Sequence, residues 1–331
     1  MADGSGHVPA LAVGQRLVGM ISNPRSHRHG RSVPSSTLVL RHPELLLFEP
    51  RDKPALDEAL RTCALLGIRL LLVRGGDGTL RDVLSALPWA YGTHPPEIAL
   101  IPSGNTNLAA RALGLRPRGR DAVDDVLRAV QAGDGAFRRV ECPVMEVRWN
   151  GDNPRRPIRG FLLGAAAFTA GKKLADDAVH RRGIHNGLAV ALAVAIAIGT
   201  SLFRRSGIAA GNEMDIRADG HPALSGRHYL LLVTSLPRMM LGLWPFWGDG
   251  DAPLQSLAIS APPRRVWRLI PRVLMRRGSA QLTRQGLHSV RSHGIELRLD
   301  APFVLDGELY EPGPDGVSVS CCGRIGFVTP A

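Results

Sequence analysis

Residues 70–80 read LLLVRGGDGTL, and the fold follows from this stretch. Ile68–Val73 is a near-continuous apolar run, as a parallel strand covered on both faces must be. It passes through Arg74, Gly75, Gly76, Asp77 and Gly78 into a helical pattern that opens near Thr79. Glycines let backbone N–H groups approach an anion closely and accept positive φ. A helix N-terminus adds unpaired N–H donors and the positive end of a dipole, which suits phosphate. Asp77 stands where a carboxylate holds Mg²⁺ or orients phosphate-bound water. The plainer alternative is a tight turn in which Asp77 caps the helix.

Working outward, strand and helix alternate. Arg16–Ser22 is a buried strand that stops at Asn23-Pro24, where proline ends a ladder. Pro54–Leu66 is helical, with Ala55, Ala59, Leu60 and Ala64 as apolar positions and Gly67 just past its end. Thr79–Leu87, Thr106–Leu113 and Asp121–Ala132 are further helices, and Glu97–Ile101 is a strand. This βαβα order implies an open, mostly parallel sheet that binds ligands at the carboxyl ends of its strands. Asn23-Pro24-Arg25-Ser26 and Pro102-Ser103-Gly104-Asn105-Thr106-Asn107 also follow strands of that sheet, so three polar loops are expected on one edge. Singly, each is an ordinary turn; their convergence is the signal.

From about Val140 the texture becomes β-like. Val144–Trp149, Ile158–Phe168, Met214–Arg217, Tyr229–Ser235, Leu257–Ser260 and Ile295–Leu299 are short segments between Gly, Pro and Asp turns. Lys172–Arg182 and an alanine-rich run are helical interruptions. The expected division is a tail over 1–15, an α/β domain over 16–139 and a β-rich domain over 140–331, with the boundary near Gly133–Arg139.

Composition narrows the partners. With 44% hydrophobic and 21% charged residues in 331, the chain is neither disordered nor a coiled coil. Its formal charge of +12 is almost all arginine, the lysines being Lys53, Lys172 and Lys173. Such a field favours anionic membrane surfaces or phosphorylated ligands; aromatic content of 5% argues against a base-stacking nucleic-acid platform. Cys63, Cys142, Cys321 and Cys322 lack CxxC spacing, which points to a reducing, cytoplasmic setting. Gly187–Phe203 is uncharged and flanked by arginines, but its alanine content suits a buried or membrane-touching helix better than a span. Trp244-Pro245-Phe246-Trp247 is either core or a lipid-facing lip.

Near the C-terminus, Val304-Leu305-Asp306-Gly307-Glu308-Leu309 first suggests a hairpin with Asp-Gly at its tip. On extended backbone, Asp306 and Glu308 would instead point the same way and form a carboxylate pair. The set NP-x-S, GGDGT, P-x-G-x-x-N and DGE, in this order, resembles the diacylglycerol kinase catalytic family, which includes the bacterial soluble diacylglycerol kinases and the sphingosine and ceramide kinases. The likeness runs over roughly residues 16 to 328.

The resemblance implies an α/β domain like that of NAD kinase and phosphofructokinase, followed by a β-sandwich across a cleft. It implies ATP and Mg²⁺ as cofactors and a lipid alcohol, diacylglycerol or a relative, as acceptor, at the inner face of a membrane without nucleic acid. Under it, Asn23, Pro24, Ser26, Gly75, Gly76, Asp77, Gly78, Thr79, Gly104, Asn105, Thr106 and Asn107 bind the nucleotide. Glu308 is the general base, with Asp306 and Asp77 in the catalytic network; Asp77, Glu141 and Asp306 serve the metal. His27, Asn105, Leu108 and Glu141 depart from the family pattern. His27 and His29 suit a phosphate-facing turn better than a metal site. The competing readings are an NAD kinase, which shares GGDGT, and a non-catalytic nucleotide-binding module.

Overall fold

In the computed structural model the chain divides into two units. The described residues are 17–26, 33–104, 106–115, 122–152, 155–173, 210–239, 244–262 and 280–331. The expectations for the tail 1–15, His27, His29, Asn105, Gly187–Phe203 and most of Lys172–Arg182 lie outside them.

The first unit comprises the described residues up to Ala110, Gly114–Glu141 and Ile325–Ala331. Its strands are β1 (Val18–Ser22), β2 (Leu45–Phe48), β3 (Leu70–Gly75) and β4 (Glu97–Pro102), and its helices are α1 (Ser35–Arg41), α2 (Lys53–Leu65), α3 (Asp77–Tyr91), most of α4 (Leu108–Ala112) and α5 (Ala122–Ala132). The strands lie in the order β2-β1-β3-β4, all parallel. Phe327 and Val328 add a further parallel pairing beside β4, opposite Ile98 and Ala99. Buried apolar runs on β1, β3 and β4 force helices onto the faces of such a sheet.

Local chemistry starts and stops the helices. Asp52 caps α2 by accepting the N–H of Ala55 at 2.9 Å, and Pro54 occupies its first turn. The buried face of α2 is Leu56, Ala59, Leu60 and Cys63, one step round from the alanine-centred stripe expected, because the larger side chains take the core. Gly67 follows at φ +67, a conformation that costs glycine little. Helix α1 and strand β2 carry no periodic sequence signal: α1 buries only Leu38, and β2 is four residues long.

The second unit comprises Arg111–Leu113 and Cys142–Arg324. It holds most of β5 (Phe137–Trp149), then β6 (Ile158–Gly160), β7 (Leu162–Ala166), β8 (Asn212–Ala218), β9 (Leu224–Thr234), β10 (Leu254–Ser260), β11 (Leu287–Ser292), β12 (Gly294–Leu299), β13 (Phe303–Leu305), β14 (Glu308–Tyr310) and most of β15 (Val317–Pro330). The pairings of β6 through β14 are antiparallel. Strand β9 pairs with β8 over Leu224–His228, with β7 over Leu230–Thr234 and with β10 over His228–Thr234, so one long strand serves three neighbours. Met145, Leu163, Leu231, Val233, Leu297 and Phe303 are among the side chains of its apolar core. The architecture is α/β followed by β, as expected.

The aromatic segment at Trp244 corrects the lipid-facing alternative. Trp244 and Phe246 are 7% and 2% exposed and pack edge to face with centroids 5.2 Å apart. Their apolar area gains more from the core than from solvent. No helix among the described residues is long and apolar enough to cross a membrane. All four cysteines are free thiols, and burial pushes those of Cys63, Cys142 and Cys321 up to about 12.

Candidate functional site

Because β1, β3 and β4 are parallel, the loops that leave them emerge at one sheet edge, and hydrogen bonds join all three. The side-chain amide of Asn23 donates to Thr79 Oγ1 at 3.0 Å, and the N–H of Asn23 donates to the Arg74 carbonyl at 2.9 Å. Ser103 Oγ donates to Ser26 Oγ at 2.8 Å, while the N–H of Ser103 donates to the Gly75 carbonyl at 3.0 Å. The first loop is itself shaped by Asn23 Oδ1, which accepts from the N–H of Arg25 at 3.0 Å.

The glycines are required by close approach. A Cβ on Gly104 would stand 2.6 Å from the Cα of Gly76, and one on Gly75 would stand 2.4 Å from Thr79 Oγ1. The second and third loops therefore touch backbone to backbone. Asn107 holds the third loop shut: it donates to the Gly104 carbonyl at 2.7 Å, and its Oδ1 accepts the Gly104 N–H at 3.1 Å. Its φ of 48° is tolerated because Asn is among the few side chains that visit the left-handed region.

Asp77 is the first residue of α3, after the cap residue Gly76. Its Oδ1 accepts the N–H of Ala109 at 3.3 Å, which fixes the carboxylate at the mouth of the glycine loop. Gly76, Asp77, Gly78, Thr79 and Thr106 are half-buried, and Pro24 is exposed. Behind the loops is a small cavity of about 10 Å³, backed by Val73, Leu80, Leu100 and Ala110. Backbone donors, a helix N-terminus and one half-buried carboxylate thus lie together at this edge, an arrangement that can hold phosphate oxygens. Two links were not singled out from the sequence: the Ser103 hydroxyl, which lay in plain view in the third loop, and the Ala109 N–H, which has no side-chain signature.

The DGE segment differs from the extended carboxylate pair. Asp306 and Gly307 have φ of 45° and 86° and connect β13 to β14, where Leu305 pairs with Glu308. Two consecutive positive φ values are the signature of the tight hairpin turn that Asp-Gly favours. Asp306 is 8% exposed, and its two oxygens accept the N–H groups of Phe161 and Leu162 at 3.0 and 2.9 Å. Its carboxylate thereby holds the turn. Glu308 is exposed on β14, and Glu141 is exposed on β5. Among the described residues no three His, Cys, Asp or Glu side chains cluster as a metal site. A carboxylate oxygen beside the loop's backbone amides suits a hard cation such as Mg²⁺, so Asp77 fits that ion.

The family model for the diacylglycerol kinase catalytic domain matches residues 18–138, which contain all three loops. Over this span the chain is similar to the diacylglycerol kinase catalytic family. No curated protein matches the chain. A solved structure of a diacylglycerol kinase from Bacillus anthracis str. Sterne is similar over 95% of this chain and 97% of that one, with 15% identity and a TM-score of 0.56. Another from the same source, provisionally described as a diacylglycerol kinase, covers the same shares at 15% identity and a TM-score of 0.60. At such identity the likeness speaks for the fold, and it extends well beyond the catalytic-domain match. Yeast NADH kinase scores 0.40 at 11% identity, too low to carry an argument.

Proposed function

We propose that this protein is a lipid kinase that transfers the γ-phosphate of ATP to a lipid hydroxyl, that of diacylglycerol or a related lipid alcohol. The observation that carries the reading is the hydrogen-bonded union of the three loops on one sheet edge within a diacylglycerol kinase catalytic domain. Phosphoryl transfer needs positioning and charge neutralisation more than covalent chemistry. Gly75, Gly76, Gly78 and Gly104 keep backbone donors accessible to the phosphates, and Asn23, Ser26, Thr79, Thr106 and Asn107 set the loops around them. Asp77 would hold Mg²⁺, which supplies neutralisation of phosphate charge when bound.

An alcohol is a weak nucleophile near neutral pH. Glu308, an exposed carboxylate on β14, is our candidate to take the proton of the lipid hydroxyl as its oxygen attacks the γ-phosphorus. The bond from that phosphorus to the bridging oxygen breaks, and ADP leaves with the electron pair. The +12 charge supports recruitment to anionic bilayers, at roughly 1 kcal/mol per basic residue near the surface.

The test is phosphate transfer from labelled ATP to a panel of diacylglycerol, monoacylglycerol, a sphingoid base and a polyprenol, with NAD as an acceptor in the same assay. Labelled lipid is the expected product. Labelled NAD phosphate without labelled lipid would overturn the lipid reading.

A further inference from the structure

Directly before the glycine loop, the covered strand β3 carries an arginine. Arg74 is 1% exposed and is the penultimate residue of that strand. Its main chain lies opposite Ser22, the last residue of β1, and its carbonyl accepts the N–H of Asn23 at 2.9 Å. Its guanidinium Nη2 donates to the Val33 carbonyl at 3.0 Å, just before α1. Asn23 is where the chain leaves β1, and Val33 is where it returns to enter α1. One buried residue therefore holds the first polar loop at its departure and at its return.

Stability alone would not select a charge in this place. An apolar side chain at position 74 would bury its area without taking a guanidinium out of water. Burial lowers the Arg74 pKa, and the charge of Glu49 raises it. That counter-charge is itself oriented from both sides of the same loop. Glu49 Oε1 accepts from Ser35 Oγ, at the start of α1, at 2.6 Å and more weakly from Ser22 Oγ, at the end of β1, at 3.4 Å. Both ends of the loop thus meet the cation, through Asn23 and Val33, and its counter-charge, through Ser22 and Ser35. Arginine suits the task because its long stem ends in a planar fork that stays charged when buried.

We propose that Arg74 is a positioning residue, a clasp that fixes the loop carrying Asn23, Pro24 and Ser26 against the glycine loop and so sets its fit to the nucleotide. It acts through the backbone of Asn23 and Val33 and needs no contact with the nucleotide. This rests on the reading that the three loops hold nucleotide phosphates. A purely structural role competes with it, and a titration separates the two. An unstable chain has fewer competent molecules of unaltered affinity, whereas a displaced loop leaves every molecule competent and binding more weakly.

The experiment is calorimetric titration of ATP with Mg²⁺ into the full chain, Arg74→Met and Arg74→Lys, with amide hydrogen exchange on the same three proteins. Arg74→Met keeps the aliphatic bulk and removes the charge and the donor. A hydrogen bond from a charged group is worth about tenfold or more in equilibrium terms, so Arg74→Met should bind ATP about tenfold more weakly at unchanged stoichiometry. Exchange should quicken over residues 23–26 and α1 and stay the same over α2. Arg74→Lys keeps a cation and a single donor, so its affinity should lie between the two, which keeps the test open if Arg74→Met does not fold. Wild-type affinity in the folded variants, whatever the stoichiometry, makes Arg74 structural and overturns the clasp. Unchanged exchange over residues 23–26 overturns it as well. Wild-type binding of ATP without transfer to any lipid of the panel overturns the kinase reading and leaves the clasp standing. Absence of ATP binding by the wild type overturns both.

Discussion

Asn23 reaches across 56 residues of sequence to donate its side-chain amide to Thr79 Oγ1 at 3.0 Å. This bond ties the loop after the first strand to the helix that follows the glycine loop. Thr79→Val keeps the branched shape against Gly75 and removes the acceptor, leaving a half-buried amide without its partner. Such a loss costs about 1–3 kcal/mol. ATP affinity should fall by about tenfold and the melting temperature by a few degrees, as read by calorimetry and thermal denaturation. Unchanged affinity would show that the two loops are aligned without this bond.

Asp77→Asn separates charge from shape. The Asn side chain still offers an oxygen to the Ala109 N–H, so α3 and α4 should stay in register. Kinase turnover should fall on the order of a hundredfold, as for other preorganised electrostatic groups. Wild-type turnover at saturating Mg²⁺ would remove Asp77 from the reaction.

Asp306 and Glu308 should part company when each is replaced. Asp306→Ala leaves the buried N–H groups of Phe161 and Leu162 without their acceptor, at about 1–3 kcal/mol each. The melting temperature should drop by several degrees, with activity following stability. Glu308→Gln, at an exposed position, should leave melting temperature and ATP affinity intact while transfer to lipid falls by roughly 10²–10⁴. Loss of ATP affinity in Glu308→Gln would make that residue part of nucleotide binding instead of the base.

His228 gives the second unit an acid-sensitive point. It is 3% exposed; burial lowers its pKa from the ordinary 6.5, against smaller raising effects of the Gly226 carbonyl and Glu213. His288 is lowered too, by burial and then by the charge of His228. Below the unfolded value of 6.5 the unfolded chain binds protons that the folded chain refuses. Stability is therefore full above that value and is lost as pH falls from it towards the depressed folded value. Melting temperature should fall by a few degrees between about pH 8 and pH 5, and His228→Gln should flatten that slope. An equal slope in the variant would place the acid sensitivity elsewhere.

Much of the first unit was legible in its sequence because its elements obey strong local rules. The buried run ending in Arg74-Gly75-Gly76-Asp77 can only be a covered strand turning into a helix, and Asp52, Pro54 and Gly67 punctuate α2 by known backbone preferences. Helix α1 and strand β2 were not legible: with one buried residue and four residues of strand, no period exists to detect. The extent of the first sheet was hidden as well, since Phe327 pairs with Ile98 across most of the chain.

At the site, the sequence by itself marked the three loops that the structure joins on one sheet edge, because glycine, Asn and Asp at strand ends have few other uses. Only the tertiary structure decided how the side chains divide the work. The Asp-Gly turn was readable from its own two residues, but the acceptor duty of Asp306 depends on Phe161 and Leu162, 145 and 144 positions away. The orientation of Glu49 likewise depends on Ser22 and Ser35 from other elements. Backbone preference is a property of neighbours along the chain, whereas the partner of a carboxylate is set by packing in space, and packing brings together residues that no sequence spacing relates.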